Sequence, residues 1–143
     1  RDKQNPHTTD SNTSKKHAHD NGKRETAEGL IILIHVICAN IRYVKYPQIR
    51  ILAITLLVRF SFQSSDSSII QRIIPSILKT LSDDSSSAVR SVAIRALCSL
   101  LHNVTQVTSV EAQIFPNYIF PGISALCKDA EVMVRLALAE SLG

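Results

Sequence analysis

An internal repeat of 40 to 45 residues is the feature that most restricts how this chain can fold. The repeat becomes visible when the chain is aligned on three arginines that each directly follow a β-branched residue, at Ile49-Arg50, Val89-Arg90 and Val134-Arg135. Successive arginines are separated by 40 and 45 residues. A period of this length indicates stacked helical units, each of which contacts mainly its neighbours, in place of one central core.

Apolar residues recur at helical spacing after each of these arginines. Counted from the β-branched residue, positions three, four, seven and eight are almost all Leu, Ala or Val. These residues are Leu52, Ala53, Leu56 and Leu57, then Val92, Ala93, Ala96 and Leu97, then Ala137, Leu138, Ser141 and Leu142. This spacing places them on one face of a helix in each unit, and the small side chains suit close approach of a second helix.

A second helix is predicted upstream of each arginine, and in two units it contains a proline. Pro75 and Pro121 lie 46 residues apart, and each is predicted to bend or begin its helix, because proline removes a backbone donor. His35 takes this place in the first unit, so that helix should be straighter. Asp84 and Asp129 each precede an arginine of the repeat by six residues, in the predicted turn, where a carboxylate can cap the next helix.

These patterns predict an all-α, HEAT-type superhelix of about three helix pairs. The predicted pairs are 28–43 with 47–62, 68–81 with 87–103, and 114–127 with 131–142. The corresponding repeats are about 27–66, 67–106 and 107–143. No single pair can bury its apolar face alone, so the pairs must stack.

Residues 1–26 are predicted to be a disordered polar linker or insert. They are rich in Asn, Asp, Ser, Thr, Lys and His and cannot bury enough apolar surface to offset the entropy of ordering. His7, His17 and His19 could hold a metal loosely, but without a rigid further ligand we predict no metal site. The chain starts at Arg1 and stops within a helical pattern, so we expect a fragment of a larger protein.

Composition argues against several classes of protein. The net charge is only +4, and the basic residues are scattered singly, which does not favour nucleic-acid binding. The longest apolar run, 30–41, is far shorter than the roughly 20 residues that span a bilayer. Cys38, Cys98 and Cys127 are odd in number and widely spaced, which predicts reduced, buried thiols in a cytosolic protein.

No motif of catalysis or cofactor binding occurs, so we predict no catalytic, cofactor-binding or metal-binding residue in this segment. Arg50, Arg90 and Arg135 could form an anion-binding row, since equivalent positions align in stacked repeats. A structural ladder is the alternative, in which such an arginine pairs with Asp84 or Asp129 of its own or the adjacent unit.

Four aromatic side chains lie near predicted helix ends. They are Tyr43, Tyr46, Tyr118 and Phe120. We predict that they cover helix ends and do not form a peptide-binding groove; exposure of their rings would favour the groove.

Several stretches go beyond a generic repeat. They are Cys38-Ala-Asn-Ile-Arg-Tyr-Val-Lys-Tyr-Pro-Gln-Ile-Arg50, Gln71-Arg-Ile-Ile-Pro75, Ala88-Val-Arg-Ser-Val-Ala-Ile-Arg-Ala-Leu97, Ile114-Phe-Pro-Asn-Tyr-Ile-Phe-Pro-Gly-Ile123 and Val134-Arg-Leu-Ala-Leu-Ala-Glu140. Together they resemble the central HEAT region of the large regulatory subunit of class III phosphatidylinositol 3-kinase, a vacuolar-protein-sorting kinase-like family. The run from Phe115 to Pro121 is the most specific part of this resemblance.

The resemblance implies a parent with an ATP-binding protein-kinase-like domain upstream and a WD-repeat propeller downstream. None of the kinase motifs lies in this chain, so the resemblance implies a non-catalytic scaffold here. The implied partners are the class III lipid kinase catalytic subunit and a Beclin-type subunit. The implied location is cytoplasmic, on endosomal, vacuolar or autophagosomal membranes through the complex. The alternative is a generic HEAT-repeat adaptor that binds peptide or transport cargo.

Overall fold

The structure is a computed structural model that describes residues 26, 28–83 and 85–143. Within these residues the chain forms six helices, α1 to α6, joined by turns and loops, and no strand. The predicted all-α, solenoid-like fold is therefore confirmed. The narrower HEAT assignment continues to rest on the repeat period.

The helices follow one another as three pairs. Helix α1 covers 28–40 and is followed by a 3-10 turn, Ile41–Tyr43; α2 is Pro47–Ser61. Helix α3 has three consecutive segments, Asp66–Ser68, a π-helical Ile69–Ile73 and Ile74–Asp83, and α4 is Ser87–Asn103. Helix α5 has a π-helical Phe115–Ile119 and an α-helical Phe120–Leu126, after a 3-10 turn at Glu111–Gln113; α6 is Val132–Leu142.

The second helices of the pairs form a row. Helix α4 packs against α2 on one side and against α6 on the other. The first helices form the other layer, in which α3 packs on α4, α5 packs on α6, and α3 and α5 contact each other. This two-layer arrangement is what stacked helical pairs require, because each pair covers the apolar face of the next.

The row is held together by the apolar face that the repeat predicts. In α4, Val89, Ala93 and Leu97 are fully buried, and Ala96 is nearly so. The two alanines let α4 approach its neighbours closely. Complete burial of one leucine contributes roughly 1.5–3 kcal/mol, so replacing Leu97 with alanine would cost about 2–5 kcal/mol once the resulting cavity is included.

The first unit departs from the predicted burial pattern. Ile49 and Leu52 are about half exposed, whereas Ile54 and Leu57 are fully buried. Among the described residues, α4 is the neighbour of helix α2 in the row, and the buried face of α2 is turned toward it. At the other end of the row, Leu142 of α6 is also exposed.

The three cysteines are free thiols, but the prediction that all are buried is wrong. Cys38 and Cys98 are half-buried, and this burial raises the pKa of both thiols. Cys127 is exposed, because it follows the last residue of α5 in the turn that leads to α6.

The predicted linker 1–26 and its histidines His7, His17 and His19 lie outside the described residues, with the exception of Thr26. Thr26 is helical and exposed. Elsewhere the predicted helix limits differ from the observed ones by a few residues; α3, for example, begins at Asp66 instead of 68.

Candidate functional site

Among residues 26, 28–83 and 85–143, no group of three His, Cys, Asp or Glu side chains could hold a metal ion. None of the helices in these ranges is both long and apolar enough to cross a bilayer. The described residues do show contacts between units and surfaces that the stacking creates.

One ion pair joins the second unit to the third. Arg90, in the first turn of α4, donates from Nε and Nη2 to the two carboxylate oxygens of Asp129, each at 2.8 Å. Only 14% of the Arg90 side chain and 10% of the Asp129 side chain are exposed. The two parallel bonds fix both distance and orientation, so the pair fixes the position of α4 relative to the turn before α6.

Asp129 also organises the start of α6. Its carboxylate accepts a hydrogen bond of 2.9 Å from the Glu131 backbone N–H, one residue before the helix begins. The hydrogen bond from Arg90 holds the pKa of the Asp129 carboxyl below its usual range, and the Glu131 N–H acts in the same direction. The carboxylate thus stays ionised where it links two units. It binds the backbone just before α6 and is not the predicted cap, since the N-cap residue is Glu131 and has no side-chain cap hydrogen bond.

The other two arginines of the repeat bind backbone carbonyls. Arg50 donates from Nε to the Val44 carbonyl at 2.6 Å, and Arg135 donates from Nη1 to the Asp129 carbonyl at 2.6 Å. In both cases the acceptor lies six residues earlier, in the turn between paired helices. This equivalence favours the structural interpretation of the arginines over an anion-binding row. Asp84, the predicted counterpart of Asp129, lies outside the described residues.

Further polar contacts cross between units on the surface. Arg95 of α4 and Glu140 of α6 approach to 2.5 Å, with about half of each side chain exposed. Arg72 of α3 contacts the ring of His35 in α1. His35 occupies the position in the first unit that Pro75 and Pro121 occupy in the other two. Its ring thus forms a contact between the first and second units.

The long loop between the second and third units is fastened by two carboxylates that the sequence analysis did not single out. Asp66 accepts from the Thr105 hydroxyl and N–H and from the Gln106 N–H, at 2.8 to 3.2 Å. Glu111 accepts from the Thr108 hydroxyl and N–H and from Gln71 in α3. Both carboxylates therefore hold the loop to the second unit.

The sequence did carry a signal for one of these two residues. Thr108 and Glu111 have the spacing of a capping box, in which each side chain bonds the other's backbone N–H, and both bonds are present. Hydrogen bonds from Thr108, with others from Gln71 and Ser67, lower the pKa of Glu111 to about 2. No comparable pattern marks Asp66, whose partners lie some 40 residues away.

Pro75 and Pro121 occupy equivalent positions, each shortly after a π-helical turn. The residue before each proline donates its N–H to the carbonyl five residues earlier, Ile74 to Ile69 and Phe120 to Phe115. The two π turns are 46 residues apart, as the prolines are. The prolines therefore do not begin their helices; a wider turn accommodates each within a longer helix.

The aromatic side chains that were predicted to cover helix ends are exposed. The exposed fractions of the four residues, Tyr43, Tyr46, Tyr118 and Phe120, lie between 60% and 67%, so that prediction is wrong. The ring of Phe120 packs at a tilt against the ring of Phe115, with 6.2 Å between the two centroids.

A groove lies between the two first helices α3 and α5, and we call it the α3–α5 groove. It consists of two adjoining cavities of about 750 and 360 Å³ that share Pro75, Ile114, Asn117 and Tyr118. Its walls are largely apolar, and both prolines of the repeat lie in them. The prolines and Tyr118 are thus brought together on one surface, whereas the arginines of the repeat contribute nothing to it.

Fold and surface together define a class of protein, a stack of helical pairs whose recognisable features are interfaces and a groove. Comparison with known families is more specific. The family model described as PIK3R4-like, middle domain, matches residues 33–143, and the chain belongs to this family. The family resemblance predicted from the sequence is thereby confirmed.

Relatives from two organisms match most of the chain. A protein of Arabidopsis thaliana called "Serine/threonine-protein kinase VPS15" is 36% identical over 116 residues, which is 81% of this chain and 8% of that protein. "Probable serine/threonine-protein kinase vps15" of Dictyostelium discoideum is 31% identical over 125 residues, 85% of this chain and 6% of that protein. The chain thus spans less than a tenth of the length of these relatives.

Proposed function

We propose that this chain is a non-catalytic scaffold segment of a regulatory subunit that assembles class III phosphatidylinositol 3-kinase for endosomal or vacuolar sorting and autophagy. The observation that carries this proposal is the match of the PIK3R4-like middle-domain family to residues 33–143. The VPS15 relatives, which align across about four-fifths of the chain, support it.

The physical contribution of such a segment is geometric. A stack of helical pairs transmits position along its length only if successive units cannot rotate against each other. The bidentate Arg90–Asp129 pair and the continuous buried row through α4 provide this resistance between the second and third units. In the proposed role, these contacts keep the domains on either side of the segment at a set distance and orientation.

The remaining parts of the proposal concern the parent protein. We infer a parent with a protein-kinase-like domain that uses ATP, while this segment itself contributes no catalytic residue and binds no cofactor. Its partners would be the class III lipid kinase catalytic subunit and a Beclin-type subunit. The complex would hold it in the cytoplasm, on endosomal, vacuolar or autophagosomal membranes.

The test is affinity capture of the full-length parent from its own cells, followed by mass spectrometry and a lipid-kinase assay. Three forms are compared with the wild type: a deletion of 27–143, Asp129→Lys, and Glu140→Lys. Asp129→Lys places two cations at a nearly buried contact between units, whereas Glu140→Lys makes the matched change at a half-exposed one.

We expect the deletion to lose the lipid kinase, Asp129→Lys to recover less of it, and Glu140→Lys to behave as the wild type. Full recovery of an active lipid kinase with the deletion would refute the scaffold role.

The alternative function is an adaptor that binds peptide or transport cargo, and the exposed α3–α5 groove favours it. In the same experiment, this alternative predicts that other proteins are captured and that no lipid kinase is among them.

A further inference from the structure

The contact between α4 and α6 follows the spacing of the repeat. Arg90, near the start of α4, binds Asp129 in the turn before α6. One helical turn further on, Ile94 is fully buried, and one turn beyond it the Cys98 thiol has a hydrogen bond with Ser141 of α6. An interval of four residues keeps side chains on one face of a helix. This face of α4 is therefore the one that the third unit covers.

The same face of α6 is exposed. Ala139 stands 45 residues after Ile94 and is its equivalent in the third unit, yet Ala139 is exposed and Ile94 is fully buried. Val132 and Leu136, on the same side of α6, are 63% and 46% exposed. At the angular step of an α-helix, these residues and the arginine of the repeat lie within about 100° of one another. We call Val132, Arg135, Leu136 and Ala139 the α6 end face.

Arg135 has unused donors on this face. Arg90, its equivalent in α4, binds the Asp129 carboxylate with Nε and Nη2. Arg135 instead donates from Nη1 to the Asp129 and Ala130 carbonyls. None of the residues that the structure describes accepts a hydrogen bond from Nε or Nη2 of Arg135. The two donors that hold the third unit to the second are therefore available in Arg135 for a further acceptor.

The occupant that fits the α6 end face is another helical pair of the same kind. The Arg90 contact shows what the guanidinium requires, which is a carboxylate in the turn between paired helices, at the position of Asp129. The helix after that turn needs small side chains for close approach, as at Ala137 of α6, which is fully buried. Such a pair would cover Val132 and Leu136 and would continue the row of α2, α4 and α6.

A second copy of this chain fits the face less well. Stacked head to tail, a second copy would present its first unit to α6, and the turn of that unit has Val44 where the third unit has Asp129. Arg135 would then meet an apolar side chain in place of a carboxylate. The aligned part is only 8% of the Arabidopsis relative, so a parent of similar length has ample chain for a further pair. A segment of the same chain also binds at high effective concentration.

We propose that the α6 end face docks the helical pair that follows in the parent chain, and that a carboxylate in the turn of this pair binds Nε and Nη2 of Arg135. The inference rests on the proposed function only for the existence of a longer parent. It goes beyond that function because it assigns an interface, an occupant and an anchoring residue. Its tests locate contacts of α6 and do not depend on recovery of a lipid kinase, so the two proposals can fail separately.

The experiment uses the full-length parent, with the photoreactive residue benzoylphenylalanine in place of Leu136 or, as the control, of Met133. Met133 is 61% exposed but lies outside the α6 end face. Its equivalent in α4, Ala88, is exposed although the third unit is stacked on α4. Position 133 should therefore stay uncovered when a further pair docks. After irradiation, mass spectrometry identifies the peptide that is joined to each position.

We expect cross-links from position 136 to a helical pair beyond residue 143 of the same polypeptide, with Asp or Glu in its turn, and few or none from position 133. Mixing isotopically labelled and unlabelled parent distinguishes the same polypeptide from a second copy. Cross-links to the first unit of a second copy, cross-links to another protein, equal yields at the two positions, or no cross-link at all would each overturn the proposal.

Hydrogen exchange of the full-length parent tests the ion pair. Arg135→Met should raise the exchange rate of the cross-linked turn about threefold or more, because the turn loses its anchor. Arg59→Met, at an exposed arginine of α2, should leave that rate unchanged. Asparagine in place of the turn carboxylate should act like Arg135→Met, and the two changes together should have no further effect. Unchanged exchange in Arg135→Met, with the fold retained by circular dichroism, would refute the role of Arg135.

Discussion

The Arg90–Asp129 pair should contribute far more to stability than the neighbouring Arg95–Glu140 pair, although both join α4 to the third unit. The first pair has two bonds of 2.8 Å and side chains that are 14% and 10% exposed; the second has one contact and side chains about half exposed. Exposed ion pairs are typically worth about 0–1 kcal/mol.

The magnitude follows from what Asp129→Asn leaves behind. Asparagine keeps the shape and one acceptor oxygen, so one hydrogen bond to Arg90 can persist. A hydrogen bond between charged groups is worth about 1.5–3 kcal/mol, and the guanidinium stays nearly buried beside a neutral amide. We expect a loss of about 2–3 kcal/mol, which corresponds to a decrease in Tm of roughly 10 °C for a domain of this size.

The assay is a double-mutant cycle on the full chain, measured by urea denaturation. The cycle combines Arg90→Met with Asp129→Asn, and a matched cycle combines Arg95→Met with Glu140→Gln. We expect a coupling energy above about 1 kcal/mol for the first pair and below about 0.5 kcal/mol for the second. Equal coupling energies would show that burial between units does not strengthen the pair, and would refute this reasoning.

Three further outcomes follow from the loop and the thiols. The pKa of Glu111 is lowered from 4.5 to about 2. The contribution of this carboxylate to stability is therefore complete above pH 4.5 and is lost as the pH falls toward 2. Glu111→Gln should flatten the acid denaturation curve between these two pH values. Asp66→Asn should weaken the attachment of the loop, so hydrogen exchange at 105–106 should become faster, and unchanged exchange would count against the attachment. Cys127 should react with a thiol reagent well before Cys98, because it is exposed; the reverse order would contradict the packing of α5 and α6.

The stack of helical pairs could be predicted because its cause is periodic in the sequence. A buried face such as Ala93 and Leu97 must recur with every unit, since each unit supplies half of the next interface. The position of Asp129 before α6 was predictable for a similar reason, because helix entry favours a carboxylate. The sequence did not predict which unit's arginine would pair with Asp129, because it does not determine how neighbouring helix pairs are positioned relative to each other.

The parts that could not be predicted depend on contacts between distant residues or on the position of a unit within the stack. Leu52 is exposed because the described part of the chain places α4 on the other face of α2, although its place in the repeat matches that of Val92. The attachment of the loop to Asp66 depends on a contact across 39 residues. The exposure of Tyr118 follows from the groove, and the groove exists only once α3 and α5 lie side by side.

The paired π turns have a consequence for the whole first layer. Each wide turn takes up one additional residue and offsets the helix axis, and because α3 and α5 have it in the same register, the two axes change direction together. Neighbouring helices with matched offsets can remain side by side along their full length, whereas an offset in one alone would force them apart. Deleting one residue from Ile69–Ile73 would therefore change the fit of α3 to α5, and the same deletion in Phe115–Ile119 should restore the matched offset.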